Sequence, residues 1–269
     1  MNRATPLIAS LLLPFALLPG AGAAPGYELR LDNSGWGKAS ATDILKVLRS
    51  SCDSIYQHYD GAEWGEPIRV RRGKEGPITL FRRSVRGEVI VQLDTSDLFW
   101  CQYAYQMAHE FCHVLCKFRE GGRKNLWFEE SLCELASLFA MRSMAESWKT
   151  DPPYANWKGY AKSIRSYIGD VEDKYQLPGK TDLADFYKAN AGALAENPTD
   201  RGKNGRIAVA LLPLFEKSPE HWPAVGYLNA GKGKDNLPFP EHLKNWRDQA
   251  PEKHRSFISE IAKQFGVSL

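Results

Sequence analysis

Residues 99–118 read FWCQYAYQMAHEFCHVLCKF, and the expected fold and site follow from this stretch. It contains neither proline nor glycine, and its apolar residues recur at spacings of three and four, which indicates an amphipathic helix. The string His109-Glu110-Phe111-Cys112-His113 lies inside it. On a helix, the two histidines are one turn apart on one face, so both imidazoles can converge on one metal ion.

Glu110 takes a different position on this helix, about 100° around the axis from His109. A carboxylate placed there reaches a water activated by zinc rather than the metal itself, and it can take a proton as general base. The sequence therefore predicts one zinc ion, with His109 and His113 as ligands and Glu110 as the catalytic base. A surface helix with two unrelated histidines would have charged neighbours, whereas several here are apolar: Met107, Ala108, Phe111, Val114 and Leu115.

A third metal ligand is expected from a second helix, which begins with WFEESLCE at residues 127–134. Glu130 and Glu134 are four residues apart and share one helical face. Glu130 could bind the metal while Glu134 hydrogen-bonds a liganding histidine from outside. Glu129 is the alternative third ligand. It points about 100° away from Glu130, so the two carboxylates do not easily bind one ion together.

The combination of H-E-x-x-H with the W-x-x-E of Trp127 to Glu130 resembles the gluzincin clan of zinc metallopeptidases. The residues of these two motifs are most similar to those of the compact "peptidase MA-like" domains of that clan. The resemblance implies a zincin-like α+β fold, one Zn²⁺ and hydrolysis of peptide bonds. It also implies that His109, His113 and Glu130 hold the zinc, that Glu110 is the base and that Glu134 supports a ligand. The match is specific over about 94–140.

The chain departs from the family pattern at two positions of the second helix. Ser131 stands where glycine is usual, and Cys133 stands where alanine is usual. Neither change removes a ligand, but both alter how closely the two helices can pack.

The resemblance further implies that the strand before the first site helix forms the edge of the substrate cleft. Val89, Ile90 and Val91 occupy that place, and an exposed edge strand can pair with an extended peptide. Family members also use a Tyr or His from the later region to stabilise the oxyanion. The sequence does not choose among five candidates for this role: Tyr154, Tyr160, Tyr167, His221 and Tyr227.

Residues 1–24 have the three parts of a secretory signal peptide: Arg3, an apolar run, and the small residues Ala21-Gly22-Ala23. We therefore expect a secreted or periplasmic protein with a cleaved signal peptide. The mature chain divides into a catalytic core over 25–150 and a helical subdomain over 151–269 that completes the cleft.

The periodicity of the chain predicts an α+β fold, with a small N-terminal sheet and one helix ahead of a helical majority. Prolines at 152–153, 178 and 238–240 are expected to break the helices. Strands are predicted near 67–70, 77–82 and 88–93, and helices near 40–59, 97–119, 127–148, 155–175, 181–195, 203–217 and 252–265.

Three of the five cysteines lie on the two predicted site helices. In an exported protein a Cys116–Cys133 bridge, or Cys112–Cys133, would join the helices. Cys116 could instead bind the metal as a thiolate. A third interpretation is that these cysteines are simply small buried apolar residues.

The composition limits the classes of partner that this protein is expected to bind. The 35 basic and 32 acidic residues give a net charge of +3 without a long run of one sign, which argues against nucleic-acid binding. After residue 24 no apolar stretch reaches transmembrane length, so we expect no membrane span in the mature chain. The expected partner is a peptide or protein substrate. Two alternatives stay open: a non-catalytic zincin-fold binding module, and a metallo-amidase that acts on a cell-wall or modified peptide.

Overall fold

The computed structural model describes residues 26–59, 66–118, 124–231 and 236–269. The predicted signal peptide, residues 1–24, lies outside these ranges. Strands and helices are both present and largely segregated along the chain, so the predicted α+β class is confirmed. Across the described residues, no helix combines the length and the apolar character needed to cross a bilayer.

A four-stranded sheet opens the described chain. Its strands are β1 (Leu29–Leu31), β2 (Ile68–Arg72), β3 (Ile78–Leu80) and β4 (Val89–Leu93), in the order β1-β2-β4-β3. The first, second and fourth run parallel, whereas β3 runs antiparallel to β4 with Thr79 opposite Val91. Buried and partly exposed residues alternate along β2 and β4, as expected for a sheet covered on one face.

This strand order contradicts the expectation for the edge of the cleft. The prediction that Val89, Ile90 and Val91 form the edge strand is wrong, because β4 lies between β2 and β3. Its backbone groups therefore pair on both sides. Among the strands that the structure describes, β3 is the edge strand on the side of the site. A three-residue strand gives little periodicity, so the sequence alone did not show that β3 rather than β4 is the edge strand.

Three helices form the centre of the protein; the first two contact the sheet, and the third packs against both of them. They are α1 (Ala41–Tyr56), α2 (Trp100–Leu115) and α3 (Leu126–Ser147). Ser40 caps α1 by accepting a hydrogen bond from the backbone N–H of Asp43. α3 contacts both α1 and α2, and it is apolar nearly all round, which is typical of a buried helix.

The remaining helices pack around α3. They are α4 (Tyr160–Lys174), α5 (Leu183–Glu196), α6 (Arg201–Lys217), α7 (Phe239–Gln249) and α8 (Glu252–Gln264), with 3₁₀ segments at Ala155–Trp157 and Pro219–Tyr227. The prolines at 238–240 begin α7 rather than break a helix, and α7 was not predicted. Proline fits the first turn of a helix because the backbone N–H that it lacks has no partner there.

Trp127 joins the start of α3 to the C-terminal helices. It is almost fully buried, and its ring lies 5.3 Å from that of Tyr187, 4.7 Å from Phe239 and 6.1 Å from Phe265. These three rings come from α5, from α7 and from the end of α8. One side chain therefore holds three helices of the C-terminal region against the helix that carries the site glutamates.

We expect Trp127→Ala to lower the free energy of unfolding by about 3–5 kcal/mol, because it leaves a large cavity among these rings. Urea unfolding followed by circular dichroism measures the change. The control is Val85→Ala at a fully exposed position, which should stay within about 0.5 kcal/mol of wild type. Equal stability of both variants would contradict this role for Trp127.

Candidate metal centre

The packing of α2 against α3 brings both histidines of the H-E-x-x-H string to Glu130. The Nε2 atom of His109 lies 3.3 Å from Oε2 of Glu130, and Nε2 of His113 lies 3.6 Å from its Oε1. The three side chains are between 12 and 17% exposed, so the site is sheltered and still reachable from the cleft. The arrangement follows from the one-turn spacing of the histidines and the position of Glu130 on the facing helix.

Cys133 lies one turn further along α3 and is fully buried. Its thiol and one nitrogen from each of His109 and His113 all lie within 4.8 Å of one another, and these three residues could hold a metal ion. Sequence reasoning proposed Cys116 as a thiolate ligand. Among the described residues the structure instead places Cys133 in this group.

Glu129 holds His113 from the side opposite Glu130. Its Oε1 lies 2.6 Å from Nδ1 of His113, and its Oε2 accepts a hydrogen bond of 2.7 Å from Asn229. Because an ionised carboxylate only accepts, Nδ1 carries the proton in the neutral form of His113, and Nε2 of that form keeps its lone pair for a metal. Glu129 thus orients a histidine, and the structure does not place it as the alternative third ligand.

Glu134 takes the corresponding place beside His109, at a longer distance. Its Oε1 lies 3.8 Å from Nδ1 of His109, which is an ion-pair distance and too long for a hydrogen bond. Its other oxygen accepts a hydrogen bond from the hydroxyl of Tyr105 on α2. The predicted support of a histidine by Glu134 is therefore electrostatic and acts on His109, whereas the direct hydrogen bond runs from Nδ1 of His113 to Glu129.

These carboxylates set the pKa values of the site. Burial lowers the pKa of His113, but its hydrogen bond to Glu129 and the charges of Glu129, Glu130 and Glu110 outweigh burial and raise the pKa to about 10. The pKa of His109 is also raised: burial opposes the charged form, while Glu130 and Glu134 favour it. Burial raises the pKa of Glu130, yet its bond to His109 and the charge of His113 bring the net pKa below its ordinary value.

Glu110 lies beside the pair of histidines and is held by the edge strand. The Thr79 hydroxyl donates a hydrogen bond of 2.7 Å to Oε2 of Glu110, and both side chains are nearly fully buried. One carboxylate oxygen is therefore fixed by β3. Sequence reasoning identified Glu110 but missed Thr79, because its partner is 31 residues away and no local pattern joins them.

The three cysteines of α2 and α3 form one buried cluster. Cys112, Cys116 and Cys133 are free thiols in mutual contact, with 4.0 Å between the sulfurs of Cys112 and Cys116. The structure thus places Cys116 beside Cys133 without a bond between them. The bridge stays a prediction for the oxidised protein.

Ser131, the other departure from the family pattern, is fully buried. Its hydroxyl donates to the Trp127 carbonyl at 2.7 Å and lies 3.4 Å from the side-chain oxygen of Asn204 on α6. The two heavy atoms that serine adds relative to glycine, Cβ and Oγ, are therefore accommodated between α3 and α6.

A cleft of about 810 Å³ opens over the histidines and carboxylates. β3 forms one wall, and α4 and α6 form the other, with Tyr167 and Arg201 among the lining residues. Of the five candidates for an oxyanion-stabilising role, Tyr167 alone lines this cleft. Tyr154 donates instead to Asp43, and His221 is hydrogen-bonded to His254 at 2.9 Å.

Three residues around the histidines were not expected from the sequence: Tyr105, Asn229 and Thr79. Tyr105 lies one turn before His109, so its helical face was a usable signal. Asn229 follows the 3₁₀ segment Pro219–Tyr227 and is 100 residues from Glu129, its partner. Only the tertiary structure brings such residues together.

Comparison with protein-family models, with curated proteins and with solved structures finds no match to this chain.

The raised pKa of His113 predicts how the stability of metal-stripped protein depends on pH. Its folded pKa of about 10 exceeds the ordinary 6.5, so the stabilisation is complete below pH 6.5 and is lost as pH rises through 10. We expect the free energy of unfolding to fall over this window, as measured by urea unfolding at several pH values. Glu129→Gln removes the hydrogen-bonded carboxylate and should flatten the slope. Identical slopes would show that Glu129 does not set this pKa.

Proposed function

We propose that this chain is a zinc-dependent metallopeptidase with a zincin-like core of the gluzincin kind. The observation that carries the proposal is the approach of the two Nε2 atoms, from His109 and His113, to the two oxygens of Glu130 at 3.3 and 3.6 Å. Export rests on residues 1–24 of the sequence alone, which carry the predicted signal peptide.

The donor set fits zinc in both chemistry and spacing. Nitrogen and carboxylate ligands lie about 2.0–2.2 Å from zinc, so two donors at tetrahedral positions are roughly 3.3 Å apart. Nε2 of His109 and Nε2 of His113 lie 3.3 and 3.6 Å from different oxygens of Glu130, so each nitrogen separately is close to this spacing. Two histidines and one glutamate leave a fourth position towards the cleft, which is the arrangement of catalytic rather than structural sites.

Cys133 is the competing third ligand, and two features favour Glu130. The Glu130 carboxylate faces the cleft, whereas the Cys133 thiol is fully buried and contacts two other thiols. Burial raises the pKa of the Cys133 thiol well above its ordinary value, so the thiolate that zinc requires is disfavoured. The metal would therefore lie on the Glu130 side of the imidazoles.

When bound, zinc supplies Lewis-acid polarisation of the scissile carbonyl and of the attacking water. Glu110 takes a proton from that water and then delivers it to the leaving amine, so that one water and one peptide bond yield an acid and an amine. The Thr79 hydrogen bond holds one oxygen of Glu110 and leaves the other for the proton. Glu129 and Asn229 keep His113 in the tautomer that presents Nε2.

The edge strand β3 and the size of the cleft favour a peptide as substrate. An extended peptide can pair with the free side of an edge strand, and β3 forms the wall next to Glu110. A metallo-amidase acting on a cell-wall or modified peptide would use the same groups, so the choice of substrate in the assay decides between them.

Glu110→Gln keeps the shape of the side chain but removes its basicity. We expect at least a hundredfold lower kcat with zinc content unchanged, because a general base contributes about 10²- to 10⁴-fold. Cleavage of a peptide library that includes cell-wall peptides measures kcat. Metal analysis of the same preparations measures the zinc content. Glu220→Gln, on an exposed side chain outside the cleft, is the matched control.

The outcomes of this experiment separate the hypotheses. Zinc-bound wild type that leaves every peptide intact would favour the binding module. Cleavage restricted to the cell-wall peptides would favour the amidase. Equal activity of wild type and Glu110→Gln would remove Glu110 as the base.

The third ligand is tested by comparing Glu130→Gln with Cys133→Ala. Loss of a supporting group around a metal site typically costs 10- to 100-fold in affinity, and loss of a ligand should cost at least as much. We expect Glu130→Gln to weaken zinc binding by more than tenfold, while Cys133→Ala changes it less than threefold. Competition with a chromophoric chelator measures both affinities. The reverse order would assign the metal to Cys133.

A further inference from the structure

We propose that Arg201 selects substrates that carry a carboxylate close to the scissile bond. This inference rests on the proposed peptidase function and names the class of peptide that the site prefers. It concerns the wall of the cleft opposite β3, where Arg201 is the first residue of α6.

Three neighbours from different elements locate the Arg201 guanidinium in the cleft. Its Nη2 atom lies 4.0 Å from the position that a Cβ on Gly76 would take, just before β3. Arg201 lines the same cleft as Glu130 of α3 and Tyr167 of α4. The guanidinium therefore reaches from α6 towards the residues just before β3, in the cleft that Glu130 also lines.

The carboxylates around Arg201 are occupied by other partners. Glu130 faces the two imidazoles, and Asp94 forms a 2.7 Å ion pair with Arg72 while it also accepts from the backbone N–H of Gly76. Within the part of the chain that the structure describes, no carboxylate lies within ion-pair distance of Arg201. Its charge is thus available to a ligand.

The remaining charges on this wall do not cancel that of Arg201. Lys174 and Asp170, both exposed on α4, also line the cleft and carry one charge of each sign. Arg201, Lys174 and Asp170 give the α4 and α6 wall a net charge of +1, whereas the acidic side chains Glu110, Glu129, Glu130 and Glu134 line the cleft from α2 and α3. A cation in a cleft attracts substrates of the opposite charge and repels those of its own sign.

The chemistry of the guanidinium points to a carboxylate. Its planar donors match the two oxygens of a carboxylate, and such charge-assisted hydrogen bonds are stronger than neutral ones. On a peptide, this group comes from an Asp or Glu side chain or from a free C-terminus. A peptide paired with the free side of β3 would run past Gly76 and so past the adjacent Arg201 guanidinium, which places the recognised carboxylate within a few residues of the cleaved bond.

The experiment compares matched peptides with zinc-loaded protein. One pair carries Glu or Gln near the cleavage position, and a second pair ends in a free acid or an amide. The readout is the ratio of kcat/KM for the acidic peptide to that for its neutral partner. We expect a ratio of about ten or more for wild type in the pair that supplies the recognised group, given the strength of a hydrogen bond to a charged group.

Variants of Arg201 should lower this ratio. Arg201→Met is expected to bring it to about one, and Arg201→Lys to an intermediate value, since lysine keeps the charge but not the paired donors. Arg86→Met, at an exposed arginine outside the cleft, should keep the wild-type ratio. A ratio near one in wild type, or an equal loss on both members of each pair in Arg201→Met, would overturn the inference.

A binding measurement separates this inference from the peptidase proposal. Zinc-loaded Glu110→Gln should bind the acidic peptide at least about tenfold more tightly than the neutral one by calorimetry, and Arg201→Met in the same background should remove the difference. Selective, Arg201-dependent binding without cleavage by wild type would refute the peptidase function and keep the inference. Cleavage by wild type without selectivity for acidic peptides would support the peptidase function and refute the inference about Arg201.

Discussion

The contact between α2 and α3 is the interaction on which the rest of the structure depends. Two histidines on one face of α2 meet glutamates on α3, and the result is a set of imidazoles and carboxylates in a sheltered place. Buried charges are costly unless each is paired and hydrogen-bonded. The register of the two helices must therefore be held closely, because a shift by one residue would leave several charges without partners.

The surrounding elements satisfy the remaining hydrogen bonds of this pair. β3 supplies the Thr79 hydroxyl to Glu110, α2 supplies Tyr105 to Glu134, and the segment after Pro219–Tyr227 supplies Asn229 to Glu129. Further polar contacts hold the helices close, such as the Ser137 hydroxyl on the Tyr105 carbonyl at 2.8 Å. The small sheet and the C-terminal helices thus support one polar network at the centre of the protein.

Much of this arrangement was predictable from local pattern. The 3.6-residue periodicity located α1 to α6 and α8, and the spacing within residues 109–113 and 127–134 indicated which side chains share a face. No comparable pattern marked α7, which begins at prolines. The strand predicted near 77–82 corresponds to β3, but nothing in its three residues indicated that it lies at the edge of the sheet. Short elements carry too few residues to display a period, and their places depend on packing.

The sequence by itself determined the identity of the metal-binding candidates, because two histidines one turn apart must share a helical face. It left open which glutamate faces them, and only the tertiary structure directed Glu130 to Nε2 and Glu129 to Nδ1 of His113. The tertiary structure also decided that β3 lies beside Glu110 and that Arg201 reaches the cleft from α6. The reason is physical: helical spacing fixes neighbours within one turn, whereas contacts between distant segments depend on how whole elements pack.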